Sequence, residues 1–146
     1  MFSISFNSGL YSAKRSSSGT LVLGSETETF LASFDHWQPE DYERQWQEAI
    51  SLVVNEGSKS ALITEMPAPS VANFIRWWPM WRFGESVKLN EQLLFMADLE
   101  TPIDAENPYT HVGEYRELNE EGERISEWVV PLQDLVDFLR SSSEMI

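Results

Sequence analysis

A run that is dense in tryptophan constrains the fold of this chain most strongly. Residues 71–83 read VANFIRWWPMWRF, so apolar side chains occupy both odd and even positions. Successive side chains of a β-strand point to opposite faces of the sheet. One face would carry Val71, Ile75, Trp77 and Trp81, and the other would carry Phe74, Trp78 and Met80. We therefore expect a strand whose two faces are both at least partly covered.

Two neighbouring segments extend this strand into a predicted sheet. Residues 60–66 and 86–96 are also rich in apolar and aromatic residues, and turn residues, including Gly84, separate the three segments. This spacing predicts an antiparallel meander. Pro79 has no N–H to donate to a ladder, so the middle strand should contain a bulge or an unpaired edge position at that point.

The N-terminal part of the chain, up to Phe34, predicts further short strands joined by turns. Apolar residues alternate with or adjoin Ser and Thr in residues 2–6, 20–23 and 29–31. Serine and glycine fill residues 16–19, which predicts a mobile loop there.

Two amphipathic helices are predicted, one before the meander and one at the C-terminus. Pro39 suits a first helical position and Gly57 suits a terminator, which predicts a helix over residues 39–54. Its apolar stripe would be Tyr42, Trp46, Ala49, Ile50 and Val53. The second helix would begin at Pro131 and end near residues 141–143. Its apolar face would be Leu132, Leu135, Val136 and Leu139.

A loop and a hairpin are predicted between the meander and the second helix. Residues 98–111 are rich in Pro, Asp and Asn and predict a loop with at most one helical turn. Residues 112–118 and 123–130 then flank the sequence Asn119-Glu120-Glu121-Gly122, a connection that ends in glycine. This pattern predicts a β-hairpin.

Length and composition bound the class of protein. A chain of 146 residues suits one domain, here residues 1–146, and an apolar content of 42% is enough to form a core without metal or disulfide staples. The chain has no cysteine, which excludes disulfides, thiolate metal sites and a cysteine nucleophile. The elements together predict a single α+β domain built on an antiparallel sheet.

Signals for export and for membrane insertion are missing from the sequence. Residues 1–10 contain no basic segment followed by a long apolar run, and no apolar stretch is long enough to cross a bilayer as a helix. We therefore expect a cytoplasmic chain that is neither secreted nor inserted into a membrane.

Residues that carry catalysis or bind cofactors form no recognisable motif. His36 and His111 lie far apart in the sequence, nothing ties either to a serine or a carboxylate, and no glycine-rich phosphate loop occurs. The nearest approach to a metal cluster is Asp98, Glu100, Asp104 and Glu106, which we interpret as an acidic, solvated loop. We expect no catalytic residue, no cofactor and no metal.

Negative charge is abundant and is concentrated in the second half of the chain. The net charge is −14, and residues 84–146 carry 15 acids against 4 bases. Such a field repels nucleic acid and anionic lipid and attracts basic proteins. Between Glu100 and Glu127 nine acids stand against two arginines. This run of acids either keeps the protein soluble or forms a docking surface for a basic protein such as a nuclease.

An ordered series of residues extends from Trp37 to the C-terminal helix. It comprises Trp37, Tyr42 and Trp46; Ser60-Ala61-Leu62 with Met66 and Pro69; Asn73-Phe74-Ile75 with Trp77; Val87-Lys88-Leu89-Asn90; and Ile125-Ser126-Glu127-Trp128. This series resembles bacterial contact-dependent growth inhibition immunity proteins, most closely the group that neutralises a ribosomal-RNA-cleaving toxin. The segment from Met1 to Phe34 takes no part in the resemblance.

The resemblance implies both a function and a fold. The function is that of a cytoplasmic antitoxin, which binds the C-terminal toxin domain of a large secreted effector and blocks its active site. The fold is a small α+β domain on curved antiparallel strands, similar to Whirly-type single-strand-binding proteins but without their DNA binding.

Charge counting supplies a hypothesis for the toxin contacts. The nominated acids are Asp104, Glu106, Glu114, Glu117, Glu120, Glu121, Glu123 and Glu127. Their partner would be a basic toxin domain, an RNase, and the chain would be a monomer or a weak dimer. Two other classes stay open, namely a self-associating accessory subunit held by an apolar patch, and a small hydrolase that uses dispersed carboxylates and a histidine.

Overall fold

The computed structural model describes residues 1–7, 16–66, 74–99 and 107–144. In chain order these residues form β1 (Phe2–Phe6), β2 (Ser16–Leu23), β3 (Glu26–Ser33), α1 (Pro39–Glu56), β4 (Ser60–Glu65), β5 (Phe74–Phe83), β6 (Ser86–Leu89), β7 (Gln92–Phe95), β8 (Trp128–Pro131) and α2 (Leu132–Glu144). Short 3-10 turns cover Met96–Asp98 and Pro108–His111. The strands pair in antiparallel fashion, so the predicted α+β class is confirmed, although the described strands divide between two sheets rather than one.

The first sheet contains β1, β2 and β3 in that order and confirms the short strands predicted near the N-terminus. The predicted loop at residues 16–19 is wrong, because these residues begin β2 and pair with β3. Gly19 lies opposite Phe30, and the ring of Phe30 occupies the space that a Cβ at position 19 would need. Glycine is therefore required here for packing inside a sheet and not for a turn.

The second sheet has the strand order β4-β5-β6-β8, and β7 also pairs with β5. The tryptophan-rich strand β5 is central, with β4 on one side and both β6 and β7 on the other. Trp77 is 1% exposed, and Trp78 on the opposite face is 2% exposed. The prediction that both faces of this strand are covered is confirmed. Val71 lies outside the described residues.

Pro79 interrupts the pairing of β5 with the strands that follow it. The segment predicted as one strand over residues 86–96 is two short strands in the same register, with Met80 opposite Leu89 in β6 and Trp77 opposite Gln92 in β7. Between them the ladder breaks, and the Pro79 carbonyl accepts the N–H of Asn90 at 3.4 Å. Pro79 has no partner in the β6 and β7 ladders but lies opposite Ala61 of β4, so the predicted edge position is wrong because β5 is central. The register shift of this sheet lies in β4, between Ile63 and Glu65.

Helix α1 begins at Pro39 as predicted and ends at Glu56, just beyond the predicted end at Val54. Asp41 accepts the N–H of Gln38 at 2.8 Å, which satisfies one of the free donors at this end of the helix. Gly57 adopts a φ of 66°, a left-handed conformation that ends the helix. The predicted apolar stripe is buried: Tyr42, Trp46, Ala49, Ile50 and Val53.

Side chains of α1 form hydrogen bonds with backbone groups on the edge of β4 that faces away from β5. The Gln45 amide donates to the Ala61 carbonyl at 2.7 Å and accepts the Ile63 N–H at 2.8 Å, as a neighbouring strand would. Trp46 donates its indole N–H to the Ile63 carbonyl at 2.7 Å. Tyr42 donates to the Ser33 carbonyl of β3 at 2.6 Å, and burial raises its pKa. These polar contacts fix α1 against β4 and connect the helix to both sheets.

The C-terminal part of the chain corrects the predicted hairpin. The second arm, residues 123–130, does not pair along the first arm, because β8 pairs with β6 instead and places Val130 opposite Val87. Val130 is fully buried in that position, and the only bridge between the two arms among the described residues joins Leu118 to Arg124. Helix α2 follows β8 directly and buries Leu132 and Leu135, in agreement with the predicted apolar face.

Buried residues from both sheets and both helices form one hydrophobic cluster. Fully buried members with large side chains include Trp46, Trp77, Trp78 and Leu135. No helix in the described ranges is both long enough and apolar enough to span a bilayer.

Candidate protein-binding surface

Residues 112–127, which we call the acidic segment, lie on the surface beside the second sheet. Six of the eight nominated acids belong to it: Glu114, Glu117, Glu120, Glu121, Glu123 and Glu127. The first five are exposed and Glu127 is half-buried. The other two, Asp104 and Glu106, lie outside the described residues. The structure thus presents five carboxylates of this segment to solvent.

The N-terminal end of the acidic segment is tied to β5 and to β4. The indole N–H of Trp81 donates to the Gly113 carbonyl at 3.0 Å. Lys59, just before β4, forms an ion pair of 3.1 Å with Glu114, whose side chain is 91% exposed. A pair this exposed adds little stability, so the tryptophan contact is the firmer anchor.

A lysine of β6 lies beneath the two ends of the acidic segment. The Lys88 ammonium is 4.9 Å from the ring centroid of Tyr115 and 5.1 Å from that of Phe83. It also donates to the Tyr115 hydroxyl at 3.4 Å, and that hydroxyl donates to the Glu127 carboxylate. This last hydrogen bond raises the pKa of Tyr115, because it stabilises the neutral phenol. Glu127 is therefore engaged within the chain, and of the five exposed acids Glu114 is also paired, with Lys59.

The middle of the acidic segment is a tight turn built by Asn119. Its side-chain oxygen accepts the N–H groups of Glu121 at 2.9 Å and Glu123 at 3.0 Å. The Asn119 N–H donates to the Glu123 carbonyl at 2.8 Å, and Gly122 has a φ of 82°. The turn predicted from the sequence is present without the long strands predicted on either side. It projects Glu120 and Glu121 into solvent.

A groove of about 630 Å³ separates β7 from the acidic segment. Apolar side chains line it from both walls, with Leu93 at 41%, Phe95 at 44% and Leu118 at 47% exposure. Glu114 and Glu120 also line the groove, together with Trp81, His111, Arg116 and Ile125. Acidic and exposed apolar groups therefore meet on one concave surface, a combination typical of protein-binding sites.

Sequence reasoning found the acids of this surface but missed its apolar part. The signal for Leu93, Phe95 and Leu118 was present as apolar residues in short predicted strands. Their exposure depends on β7 being a short strand that pairs only with β5 among the described strands, which is a property of the tertiary fold.

The groups considered for catalysis and metal binding do not assemble into a described site. His36 precedes α1, whereas His111 ends a 3-10 turn at the groove. Within the described parts of the chain no three histidine or carboxylate side chains come together in a way that could hold a metal ion. Glu100, Asp104 and Glu106 lie outside those parts.

Comparison with known proteins identifies the family of this chain. The model of the CdiI N-terminal domain family matches residues 32–138. The immunity protein CdiI of Enterobacter cloacae subsp. cloacae is 24% identical over 122 residues, which cover 84% of this chain and 83% of that protein. A solved CdiA-CT/CdiI toxin and immunity complex from Enterobacter cloacae contains a chain with the same fold, at a TM-score of 0.86 and 23% identity, covering 99% of each chain.

The family match runs from the end of β3 into α2 and includes β7, the groove and the whole acidic segment. It leaves out residues 1–31, in line with the part of the chain that the sequence resemblance left unmatched. The resemblance to contact-dependent growth inhibition immunity proteins is thereby confirmed: this chain belongs to the CdiI N-terminal domain family.

Proposed function

We propose that this chain is an immunity protein that binds the C-terminal nuclease domain of a contact-dependent growth inhibition effector and blocks its active site with the acidic segment. The observation that carries the proposal is the cluster of five exposed carboxylates on one short segment. The fold match to a chain of a toxin and immunity complex is consistent with this role.

The chemistry of a nuclease explains why acids suit such an inhibitor. A nuclease holds the phosphates of its substrate with lysine and arginine side chains. Exposed carboxylates compete for the same basic groove and accelerate the encounter through long-range attraction. The net charge of −14 acts in the same direction. From the sequence resemblance, the substrate of the toxin would be ribosomal RNA.

The nominated acids do not contribute equally to the proposed interface. Glu117, Glu120, Glu121 and Glu123 are exposed, and the exposed Glu114 forms an ion pair with the half-buried Lys59. We assign these five as toxin contacts. Glu127 is bonded to Tyr115, so its role is to hold the segment rather than to meet the toxin. Asp104 and Glu106 remain nominated by their charge alone.

The first test is whether this chain and the toxin domain encoded directly upstream of its gene purify together. We expect a stoichiometric complex in which the toxin no longer cleaves RNA, with the protein acting as a monomer in the cytoplasm. A toxin that cleaves RNA at its full rate in the presence of excess protein would refute the proposal.

Charge reversal tests whether the acidic segment is the surface that attracts the toxin. Changing Glu120, Glu121 and Glu123 together to lysine should slow association at low salt at least about tenfold, since steering depends on local charge. The matched control changes three exposed acids elsewhere, Glu26, Glu43 and Glu56, and alters the net charge by the same amount. Equal losses in the two variants would show that only net charge matters and would remove the acidic segment from the proposal.

A further inference from the structure

We propose that the groove between β7 and the acidic segment receives a segment of the toxin domain in which an apolar side chain is flanked by lysine or arginine. This inference rests on the proposed function and deepens it, because it names the chemistry that the surface recognises. It also separates two tasks that charge counting alone would assign to the same acids.

The apolar lining of the groove is the first observation. Leu93 and Phe95 come from β7, Leu118 comes from the acidic segment, and each residue is more than two fifths exposed. Ile125, which is half-buried, also lines the groove. Concave apolar surface that stays in contact with water costs free energy in the unbound protein and marks the sites that partners cover.

The charged rim of the groove is the second observation. Glu114 and Glu120 line the groove, and Glu117, Glu121 and Glu123 extend the negative charge around the turn. Among the described residues, the lining of the groove contains two acids, Glu114 and Glu120, against one arginine, Arg116. A segment that carries only apolar residues would bring no ionic partner to these carboxylates, whereas a flanking lysine or arginine would pair with them.

A second copy of this chain fits the groove poorly. In a symmetric dimer the same patch lies on both sides of the interface, which would bring the acidic segment of one copy close to that of the other. Each copy carries a net charge of −14, so such a pairing would be strongly repelled at low salt. Charge therefore favours a basic partner over self-association.

The two parts of the surface should affect different rate constants. Apolar anchors that become fully buried at the centre of an interface govern dissociation. Charges on the rim govern association and its dependence on salt. The groove residues should therefore control how long the complex lasts, while the exposed acids control how fast it forms.

The test measures association and dissociation of single alanine variants with the cognate toxin domain. Leu118→Ala and Phe95→Ala, which lie on opposite walls, should each dissociate about tenfold faster, as expected when a central anchor is truncated, with association unchanged within about twofold. Leu31→Ala and Val129→Ala serve as matched controls, because these side chains are 60% and 54% exposed and lie outside the groove lining. The controls should dissociate like the unmodified protein.

The outcomes separate this inference from the proposed function. If the unmodified protein binds and inhibits the toxin but both groove variants dissociate like the controls, the groove inference is wrong and the proposed function stands. If the unmodified protein forms no complex with the toxin domain, both the groove inference and the proposed function are wrong. If sedimentation shows a dimer that the groove variants abolish while their toxin binding stays normal, the occupant is a second copy and the inference is overturned.

Discussion

Replacing Gln45 by methionine should destabilise the protein more than any other change at a polar residue of α1. Gln45 is 5% exposed and pairs with β4 through two hydrogen bonds, one to the Ala61 carbonyl and one from the Ile63 N–H. Methionine has a similar length and volume, so the substitution removes both hydrogen bonds to β4, and a third that Gln45 donates to the Tyr109 hydroxyl at 3.2 Å, while it preserves the packing.

The magnitude follows from the two backbone groups that would lose their partners. Ala61 and Ile63 are fully buried, so water does not replace the amide. A buried group left without a hydrogen bond costs about 1–3 kcal/mol, and local relaxation recovers part of that cost. We expect the free energy of unfolding to fall by about 3 kcal/mol, a large share of the roughly 5–15 kcal/mol typical of a domain.

Urea unfolding followed by tryptophan fluorescence measures this change, since Trp46, Trp77 and Trp78 are all buried in the core. Gln47→Met is the matched control, because Gln47 lies on the same helix and is only half-buried. Its substitution should change the free energy of unfolding by less than about 0.5 kcal/mol. A Gln45→Met variant that unfolds at the same urea concentration as the control would refute the edge-pairing argument.

Substitutions at Gly19, Lys88 and Tyr109 test three other features of the fold. Gly19→Ala should lower the free energy of unfolding by about 1–3 kcal/mol in urea titrations, because the new methyl group meets the ring of Phe30; a variant of normal stability would contradict this packing. Lys88→Met should speed amide exchange across the acidic segment, because the cation beside Tyr115 is lost; unchanged exchange would show that Lys88 does not hold the segment. Burial raises the pKa of Tyr109 to about 12, so the folded state keeps a proton that the unfolded state loses, and stability should fall as the pH rises from about 10 to 12. Tyr109→Phe should reduce that fall in urea titrations at alkaline pH, and an equal fall would contradict the assignment.

Helix α1 shows what local sequence signals can predict. Pro39 and the acids of the first turn mark its start, the apolar stripe marks its buried face, and Gly57 marks its end. All of these signals act over a short stretch of chain, so the predicted start is correct and the predicted end falls just short of Glu56. The function of Gln45 was not predictable, because nothing in the sequence shows which strand edge lies opposite the helix.

The hairpin and the groove depend on contacts between distant parts of the chain, which the sequence does not reveal. Residues 128–130 carry a strand pattern that can pair with any free edge, and pairing with β6 is the arrangement that buries Val130. The turn at Asn119 was predictable from its residues, but its strand partners were not. The exposure of Leu93 and Phe95 likewise depends on non-local packing around β7. The acids of the surface could therefore be named in advance, and its apolar lining could not.

Amide hydrogen exchange of this protein, alone and with its cognate toxin domain, would locate the surface that binds the toxin. We expect the toxin to slow exchange in the acidic segment and in β7, with little change in β1 to β3. Protection confined to the first sheet or to the exposed face of α1 would show that the toxin binds elsewhere, and would contradict the assignment of the acidic segment and the groove as the binding surface.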